Sequence, residues 1–450
     1  MNRALLWKLL AILGVTLALV VPLQMTEQLI GERRGLRDQV MSDIAQTGTA
    51  AQRMEGMVLF VPCIDRYEEA ETLHDGRRIV RQHTRNCDLR VLPKKLRVMA
   101  DLTTDFRYRG IHRALVYQIA ADIEAAFDLL PQPTPDGMKR TWGEPRLLVG
   151  IGDQRGIRST PVASWNGTAL QFEAGTGNVV WTKGVHAGVP IDPGAGGSGR
   201  LAMKLGLAGM DRLDVVPAAD EVEFTLRSPW PHPSFVGRFL PDTRTVSHAG
   251  FEAVWRTTGL ATNIRDAFQR CGTGQCDEYT ASAFGVSLMP GVDVYQQSYR
   301  AVHYGFMFVV LTFALFFLYE VLAGLKVHPI QYGLVGIALT AFYVLLIALA
   351  EHIDFALAYL AATSACVLLI GVYVRYVLGS IGRAAAMTAL MTALYGCLYM
   401  VLGSEDYALL MGSILLFAVL AAFMLATRKL DWHALPMRVN GASRDIGISR

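Results

Sequence analysis

Residues 4–23 have the sequence ALLWKLLAILGVTLALVVPL, an apolar run of twenty residues that only Lys8 interrupts. A helix needs about 20 apolar residues to cross the hydrocarbon core of a bilayer. We therefore expect this run to be a retained membrane anchor. A cleaved signal peptide is the alternative, but the run ends in Val-Pro-Leu-Gln-Met, which is a poor cleavage site.

Five further apolar runs follow one another in the last third of the chain. They cover approximately residues 301–323, 329–350, 355–374, 384–402 and 407–427. Backbone polar groups cannot be left unpaired in lipid, so each run is expected to be a helix. Together with the first run, they predict an α-helical polytopic membrane protein with six spans.

The positions of lysine and arginine predict the direction of these spans, because short cytoplasmic loops are enriched in them. In a six-span arrangement the basic residues of the termini and of alternate loops fall on one side: Arg3, Lys8, Lys326, Arg375, Arg383, Arg428, Lys429, Arg438, Arg444 and Arg450. The other short loops carry Glu351 with Asp354, and Glu405 with Asp406. Both termini are therefore expected in the cytoplasm of a bacterial cell, with the protein in its inner membrane.

Composition supports a division between lipid and water. The chain is 52% hydrophobic and only 18% charged, against about 25% charged residues in soluble domains. We expect an anchor at 1–24, a periplasmic domain at 25–298, a five-helix membrane bundle at 299–430 and a cytoplasmic tail at 431–450. The net charge of +3 gives no electrostatic case for nucleic acid. The expected partners are the lipid bilayer and an unidentified periplasmic or envelope component.

The polar middle region predicts an antiparallel, sandwich-like β domain. From residue 54 onward, short alternating segments are separated by turn-rich stretches such as PQPTPDG, SWNGT and DPGAGGSGR. Many short strands with this punctuation are typical of β sandwiches. Residues 111–130 could be strand or helix, because they include the Ala-rich segment AADIEAAFDLL at 120–130, and FGVSLMPGVDVYQ at 284–296 is expected to be a strand.

Four cysteines, Cys63, Cys87, Cys271 and Cys276, fall in the region expected outside the cytoplasm. Disulfides persist in such compartments. Four cysteines allow three pairings, of which proximity in sequence favours Cys63–Cys87 and Cys271–Cys276.

Motifs for catalysis or cofactors are not found. The glycine-rich stretch GAGGSGRL at 194–201 lacks the Gly-Lys-Ser/Thr ending of a phosphate loop. The sequence contains no G-x-S-x-G or H-E-x-x-H, and no histidine pair has metal-ligand spacing. In GIGDQRG at 150–156, Asp153 and Arg155 are expected to close a turn. We therefore predict no enzyme activity and no catalytic, cofactor-binding or metal-binding residue.

The most unusual stretch is SPWPHPSFVGRFLP at 228–241. Its prolines fix the backbone, which predicts a rigid loop. Its large side chains are candidates for a partner-binding surface: Trp230, His232, Phe235 and Phe239. A loop packed on its own sheet is the alternative.

Ionisable residues are scarce in the predicted spans, which weighs against an ion-coupled pump. Glu320 lies near one end of its span, and Glu351 and His352 follow the next one. We expect all three at the membrane interface, with Glu320 paired to Lys326 or His328.

The chain resembles the CreD-type cell envelope integrity proteins of the inner membrane. The resemblance covers nearly the whole length and is carried by long strings: FRYRGIHRALVY (106–117), VGIGDQRGI (149–157), WNGTALQFEAGTG (165–177), GVHAGV (184–189), LRSPWPHPSFVGRFLP (226–241), FEAVW (251–255), the segment 315–360 and ATRKLDW (426–432). It implies a role in envelope stress, with expression under a two-component system and altered tolerance of colicins and β-lactams. It supplies no established catalytic residue, cofactor or substrate.

Two functions follow as hypotheses. The first is a non-enzymatic protein that supports envelope integrity by binding an envelope component through its periplasmic domain. The second is a small-molecule or lipid transporter, or a membrane enzyme that acts on envelope precursors. The second would require a polar cavity inside the helical bundle or titratable groups that converge at its outer face.

Overall fold

The structure, a computed structural model, describes residues 3–72, 78–177, 181, 183–288, 294–323, 327–403 and 408–428. The described helices are α1 (Arg3–Ala18), α2 (Val20–Thr47), α3 (Gly259–Thr262), α4 (Ile264–Cys271), α5 (Asp277–Ala281), α6 (Val294–His303), α7 (Gly305–Ala323), α8 (Pro329–Ala350), α9 (Phe355–Leu378), α10 (Ile381–Gly403) and α11 (Ala408–Thr427). The chain divides into two compact units: residues 1–38 with 292–450, and residues 39–291.

The first unit is helical. Four helical stretches are long and apolar enough to cross a membrane: Leu6–Thr47, Pro329–Ala350, Phe355–Val377 and Ile381–Gly403. The pair Val294–His303 and Gly305–Val321, bent by 44°, makes a fifth if it counts as one span. Leu410–Ala422 is a shorter apolar helix. The described residues therefore provide four or five spans by length and composition, against the six predicted.

Several residues used for the orientation fall outside the described part of the chain. They are Lys326, Glu405, Asp406, Lys429, Arg438, Arg444 and Arg450. The polar stretch after the first apolar run is helical, because α2 continues as far as Thr47.

The second unit is a β sandwich. Its strands are β1 (Gln52–Thr72), β2 (Arg78–Val91), β3 (Lys95–Arg109), β4 (His112–Leu129), β5 (Met138–Trp142), β6 (Arg146–Ile151), β7 (Val162–Trp165), β8 (Thr168–Leu170), β9 (Glu173–Ala174), β10 (Gly184–Gly188), β11 (Gly197–Met210), β12 (Arg212–Val215), β13 (Glu221–Ser228), β14 (Ser234–Gly237), β15 (Thr243–Ser247), β16 (Gly250–Thr258) and β17 (Phe284–Ser287).

Two sheets form from these strands. One has nine strands in the order β14-β17-β12-β1-β6-β10-β9, with β2 and β5 also paired to β1. The other has eight, in the order β15-β16-β13-β3-β4-β11-β7-β8. The pairing is mixed rather than purely antiparallel as predicted, because β1 with β12 and β3 with β13 run parallel.

One hydrophobic core joins the two sheets. It contains inward residues of the nine-stranded sheet, such as Leu59 and Leu147, together with Ile119, Leu205 and Phe224 of the eight-stranded sheet. Successive strand residues point to opposite faces, so each strand contributes alternate side chains to this core.

Short helices cover the other face of the nine-stranded sheet. Val58 and Leu148 pack there against Ile264 and Phe268 of α4 and against Tyr279 of α5. Val58 precedes the core residue Leu59, as the alternation of a strand requires. The domain thus has three layers at this place.

The structure resolves the ambiguous Ala-rich segment and corrects another. Residues 120–129 belong to strand β4, in which alternate positions are buried. The predicted strand at 284–296 was wrong in extent, because β17 ends at Ser287 and helix α6 begins at Val294.

Candidate functional site

The outer face of the eight-stranded sheet carries a row of alternating charge. The register places Arg256 opposite Glu223, Glu223 beside Arg97, and Arg97 opposite Glu124. These positions alternate with core residues such as Val98 and Phe224. They therefore all lie on the face that points away from the core.

Ion pairs connect residues within this row, and a further pair joins Lys95 to Glu221 on the same two strands. Arg97 lies 3.5 Å and Arg256 3.4 Å from Glu223, and Lys95 lies 3.0 Å from Glu221. Such exposed pairs contribute only about 0–1 kcal/mol each to stability. A ligand that offers matching charges can therefore replace them at little cost to the fold.

These charges line a trough of about 1340 Å³, hereafter the sheet trough. Its lining includes the small residues Ala126, Ala202 and Ser164. Arg200 also lines the trough and is exposed. Small side chains between longer charged ones leave room for a polar chain to lie across the strands.

A tight turn holds one rim of the trough. Asn166 and Gly167 both have positive φ, 49° and 87°, as an Asn-Gly hairpin turn between β7 and β8 requires. The Asn166 Oδ1 atom accepts a hydrogen bond of 2.8 Å from the Arg200 amide, and its Nδ2 atom donates to the Ser198 carbonyl at 3.3 Å. The turn is thereby fixed to β11.

The predicted aromatic loop packs on the sandwich, the arrangement given as the alternative. The Trp230 ring lies 6.2 Å from Phe106, and the Phe235 ring lies 5.8 Å from Trp255. The Trp255 indole donates to the Phe239 carbonyl at 3.2 Å. The aromatic side chains are thus partly buried against the core, while His232 is exposed.

The loop also connects the two sheets. It leads from β13 in the eight-stranded sheet to β14 in the nine-stranded sheet, and the chain then returns to the eight-stranded sheet at β15. Its prolines and aromatic rings therefore serve the closure of the sandwich. The partner-binding role of Trp230, His232, Phe235 and Phe239 stays a prediction.

The cysteines of the β domain are placed in pairs. The structure joins Cys63 to Cys87 and Cys271 to Cys276. Cys63 and Cys87 are direct cross-strand neighbours in β1 and β2.

The DQRG turn ties the domain to the end of helix α2. The Asp153 carboxylate accepts hydrogen bonds from the amides of Arg155, at 3.1 Å, and Ala50, at 3.2 Å. Arg155 pairs with Asp153 at 2.7 Å and also donates to the carbonyls of Ala45 and Gln46 in the last turn of α2. The Arg155 guanidinium lowers the pKa of Asp153 to about 2. This turn is a structural joint.

In the helical unit, Glu320 pairs with Lys8, a residue that was not predicted as its partner. Its carboxylate accepts from Lys8 of α1, from the Tyr332 hydroxyl at 2.8 Å and from the Val327 amide at 3.0 Å. His328 instead accepts from the Ile330 amide at the start of α8. Lys326 lies outside the described residues.

Glu320 and Tyr332 also line a small cavity whose other walls are mostly apolar. These walls include Phe316, Tyr373 and Met387. The cavity is therefore an apolar space with one charged group at its side.

Glu351 and His352 lie at the end of α8. The Tyr295 hydroxyl donates to Glu351 at 3.3 Å, and Arg33 lies 3.8 Å from the same carboxylate. His352 is exposed, with its Nδ1 atom 3.0 Å from the Ala348 carbonyl. The described residues contain no group of three or more His, Cys, Asp or Glu that could hold a metal ion.

The trough residues were missed by the sequence analysis. A signal for them was present in the alternation of charged and apolar residues in KLRV at 95–98 and EVEF at 221–224. That alternation predicted strands correctly. The charges form one face only because these particular strands lie side by side. The local sequence does not show which strands pair.

Comparison with known proteins identifies the family. The sequence profile of the family described as "Inner membrane protein CreD" matches residues 4–433. The Inner membrane protein CreD of Escherichia coli (strain K12) is 33% identical over 449 residues, which covers 99% of this chain and 98% of that protein.

Similarity to solved structures is weak. A Legionella pneumophila protein with a provisional nutrient-binding assignment has a TM-score of 0.24 at 5% identity, and covers 49% of this chain and 77% of its own. An M1 zinc metallopeptidase of Deinococcus radiodurans has a TM-score of 0.18 at 15% identity, with coverage of 37% and 39%. Neither likeness carries an argument. By the match over nearly its whole length, the chain belongs to the CreD family of inner-membrane proteins.

Proposed function

We propose that this multi-pass inner-membrane protein has six spans, both termini in the cytoplasm and its β sandwich in the periplasm. The proposal counts α6 with α7 as one span and α11 as the last. It is supported by the charges of the two loops on either side of α9, the fourth span of this proposal. Glu351 and Asp354 connect α8 to α9, whereas Arg375 and Arg383 lie close to the connection from α9 to α10.

We propose further that the protein supports envelope integrity by binding an envelope component in the sheet trough. The observation that carries this proposal is the row Arg256, Glu223, Arg97 and Glu124, which crosses neighbouring strands with alternating charge. A row of this kind complements a polar chain that itself carries both signs of charge.

The lining of the trough favours a peptide-bearing component over a bare sugar chain. None of the described residues that line it is aromatic. Aromatic rings provide large, rigid contact area in recognition sites, and that contribution is missing at this face. Hydrogen bonds and charge pairs must then provide the specificity.

The proposed role does not involve catalysis. The carboxylates and guanidinium groups of the trough lie on an exposed sheet face, where Arg97 and Glu223 have side chains 57% and 37% exposed. Catalytic groups are usually buried so that their pKa values shift toward their task. This setting suits binding better than proton transfer.

The test reverses charge in the trough at two residues that form no ion pair within the described part of the chain. Arg200→Glu and Glu124→Lys change exposed or lining residues of β11 and β4. We expect each to lose complementation of an envelope-stress phenotype at normal protein level. Lys139→Glu is the matched control, because Lys139 is exposed on β5 of the other sheet. Full complementation by both trough variants would refute the proposal.

One observation favours a second candidate function, transport of a small molecule or lipid. Glu320, a carboxylate 6% exposed, lines an apolar cavity among α7, α8, α9 and α10. Glu320→Gln preserves the shape and removes the charge. Loss of complementation by this variant alone, with normal level and assembly, would favour transport over binding in the trough.

A further inference from the structure

The sheet trough contains two charged residues that the described fold leaves without an ion pair. Glu124 on β4 and Arg200 on β11 both line the trough and are exposed. The other charged residues of the trough are paired with one another: Arg97 and Arg256 with Glu223, and Lys95 with Glu221. Within the described part of the chain, one carboxylate and one guanidinium are therefore available to a ligand.

These two residues lie diagonally across one alanine. Glu124 is directly opposite Ala202 in the pairing of β4 with β11, and Arg200 precedes Ala202 by two positions on the same face of β11. Diagonal neighbours of this kind lie about 7–8 Å apart, within reach of long side chains. Ala202 is exposed and carries only a methyl group. Space for a small charged group is thus left above it, between the carboxylate and the guanidinium.

A hydroxyl group lies on the other side of Ala202. Ser164 of β7 is its direct cross-strand partner and also lines the trough. The backbone of Arg200 is fixed, because its amide donates to the Asn166 side chain at 2.8 Å and its carbonyl accepts from the Asn166 amide at 2.9 Å. We refer to Glu124, Ser164, Arg200 and Ala202 as the alanine site. Its three strands have a set register, so its polar groups have fixed starting points.

This combination of groups complements a zwitterion. A guanidinium binds a carboxylate through two parallel hydrogen bonds, and a carboxylate accepts hydrogen bonds from an ammonium group. An α-amino acid head carries both groups on one carbon atom. One such head can therefore contact Arg200 and Glu124 at the same time, whereas a neutral sugar offers neither charge.

We propose that the alanine site binds a free α-amino acid head at the end of a side chain in a peptide-bearing envelope component. Arg200 binds the carboxylate of the head, Glu124 binds its ammonium group, and Ser164 donates a further hydrogen bond to the carboxylate. A diamino acid with one α-amino acid end in the peptide and the other end free presents such a head. This assignment rests on the function proposed for the trough and specifies the chemical group that is recognised there.

The experiment uses the full chain in nanodiscs and three fluorescently labelled tripeptides, Ala-X-Ala with both ends blocked. X is 2,6-diaminopimelate, which carries the whole head, lysine, which carries the ammonium alone, or 2-aminopimelate, which carries the carboxylate alone. Binding is measured by fluorescence anisotropy. We expect the diaminopimelate peptide to bind at least about tenfold more tightly than either of the others, which corresponds to ~1.4 kcal/mol.

Uncharged variants assign each half of the head to a residue. Arg200→Gln should lower the affinity for the diaminopimelate peptide to about that for the lysine peptide, and should leave lysine-peptide binding unchanged. Glu124→Gln should lower it to about that for the 2-aminopimelate peptide. A loss of fold would weaken all three peptides alike, so the pattern separates the two causes. Lys139→Gln, at an exposed position of the other sheet, is the control and should change none of the affinities.

A steric variant tests the space above the alanine. Ala202→Leu keeps both charges but fills the space between them, and should abolish the preference for the diaminopimelate peptide. Ala120→Leu is the matched control, because Ala120 is an exposed alanine on the same face of β4, about 13 Å along the strand from Glu124. It should leave the preference intact.

Three results would overturn the assignment. The first is that the diaminopimelate peptide does not bind, or binds no better than the lysine peptide. The second is a preference for diaminopimelate that survives both Arg200→Gln and Ala202→Leu. The third is displacement of this peptide by an equal concentration of O-phosphoethanolamine, which would identify a phosphate-bearing head, such as that of a lipid, as the ligand.

Failure of the head-group assignment is distinguishable from failure of the function proposed for the trough. If Arg200→Glu and Glu124→Lys lose complementation while the peptides are not discriminated, the trough binds another ligand and only the head-group assignment is wrong. If both variants complement fully, the function of the trough is refuted and the assignment falls with it.

Discussion

The ion pair between Lys8 and Glu320 provides the sharpest test of the helical packing. These residues are 312 positions apart and join α1 to α7. The side chain of Glu320 is 7% and that of Lys8 19% exposed. Removing one partner of a buried pair leaves the other charge uncompensated, which costs about 3–5 kcal/mol. We therefore expect Lys8→Met to destabilise the protein by about this amount.

A second substitution should restore much of the loss. Glu320→Gln removes the stranded charge but keeps an oxygen that can accept from the Tyr332 hydroxyl or the Val327 amide. Replacing both members of a buried pair by uncharged groups is often close to neutral. The double variant Lys8→Met/Glu320→Gln should therefore be more stable than Lys8→Met alone by about 2 kcal/mol or more.

Unfolding by sodium dodecyl sulfate in mixed micelles, followed by circular dichroism, measures these differences. Lys95→Met is the control, because Lys95 pairs with Glu221 on the surface with side chains 66% and 59% exposed. Its effect should stay below about 1 kcal/mol. If the double variant were no more stable than Lys8→Met, Glu320 would not be held as a buried, compensated charge, and the reasoning would be refuted.

Three further predictions concern the β domain. The pKa of Asp153 is about 2 against 3.8, so its ionised form contributes stability that is present above pH ~4 and is lost as the pH falls toward 2. Because Arg155 is half exposed, we expect this contribution to be about 1 kcal/mol. In urea unfolding, the stability of Asp153→Asn should therefore fall less than that of the wild type between pH 7 and pH 3. Gly199→Ala would place its Cβ in steric clash with the Trp165 ring, so the melting temperature should fall by the equivalent of about 1–3 kcal/mol. Replacing Cys63 and Cys87 by serine should cost about 2–4 kcal/mol and increase protease cleavage of the hairpin between them, and a non-reduced digest of the wild type should contain the linked peptides.

The membrane helices and the β-rich character of the middle region could be predicted, because both depend on local patterns. Length and hydropathy alone identify a helix that can cross a bilayer. Alternation did not decide the Ala-rich segment, which the sequence left open between strand and helix. In AADIEAAFDLL the buried residues Ala121, Ile123, Ala125 and Phe127 occur at every second position, and burial on a sheet overrides the helix propensity of alanine and glutamate.

The features that the sequence did not reveal depend on which distant segments meet. The parallel pairing of β1 with β12 joins residues near 53 to residues near 214. Likewise, Glu320 pairs with the distant Lys8 and not with the nearby His328, while Lys326, the other predicted partner, lies outside the described residues. The cysteines that the structure joins, by contrast, are local, within a hairpin and within a short loop.

The strings that carry the family resemblance turn out to serve the fold in most places. VGIGDQRGI contains the joint between the β domain and α2, WNGT forms a tight turn, and SPWPHPSFVGRFLP closes the sandwich. Such residues explain why the chain folds as it does, but they leave few groups free to contact a ligand. Function should therefore be sought where the fold needs the side chain least. The exposed charges of the trough meet that condition, since their ion pairs add little stability.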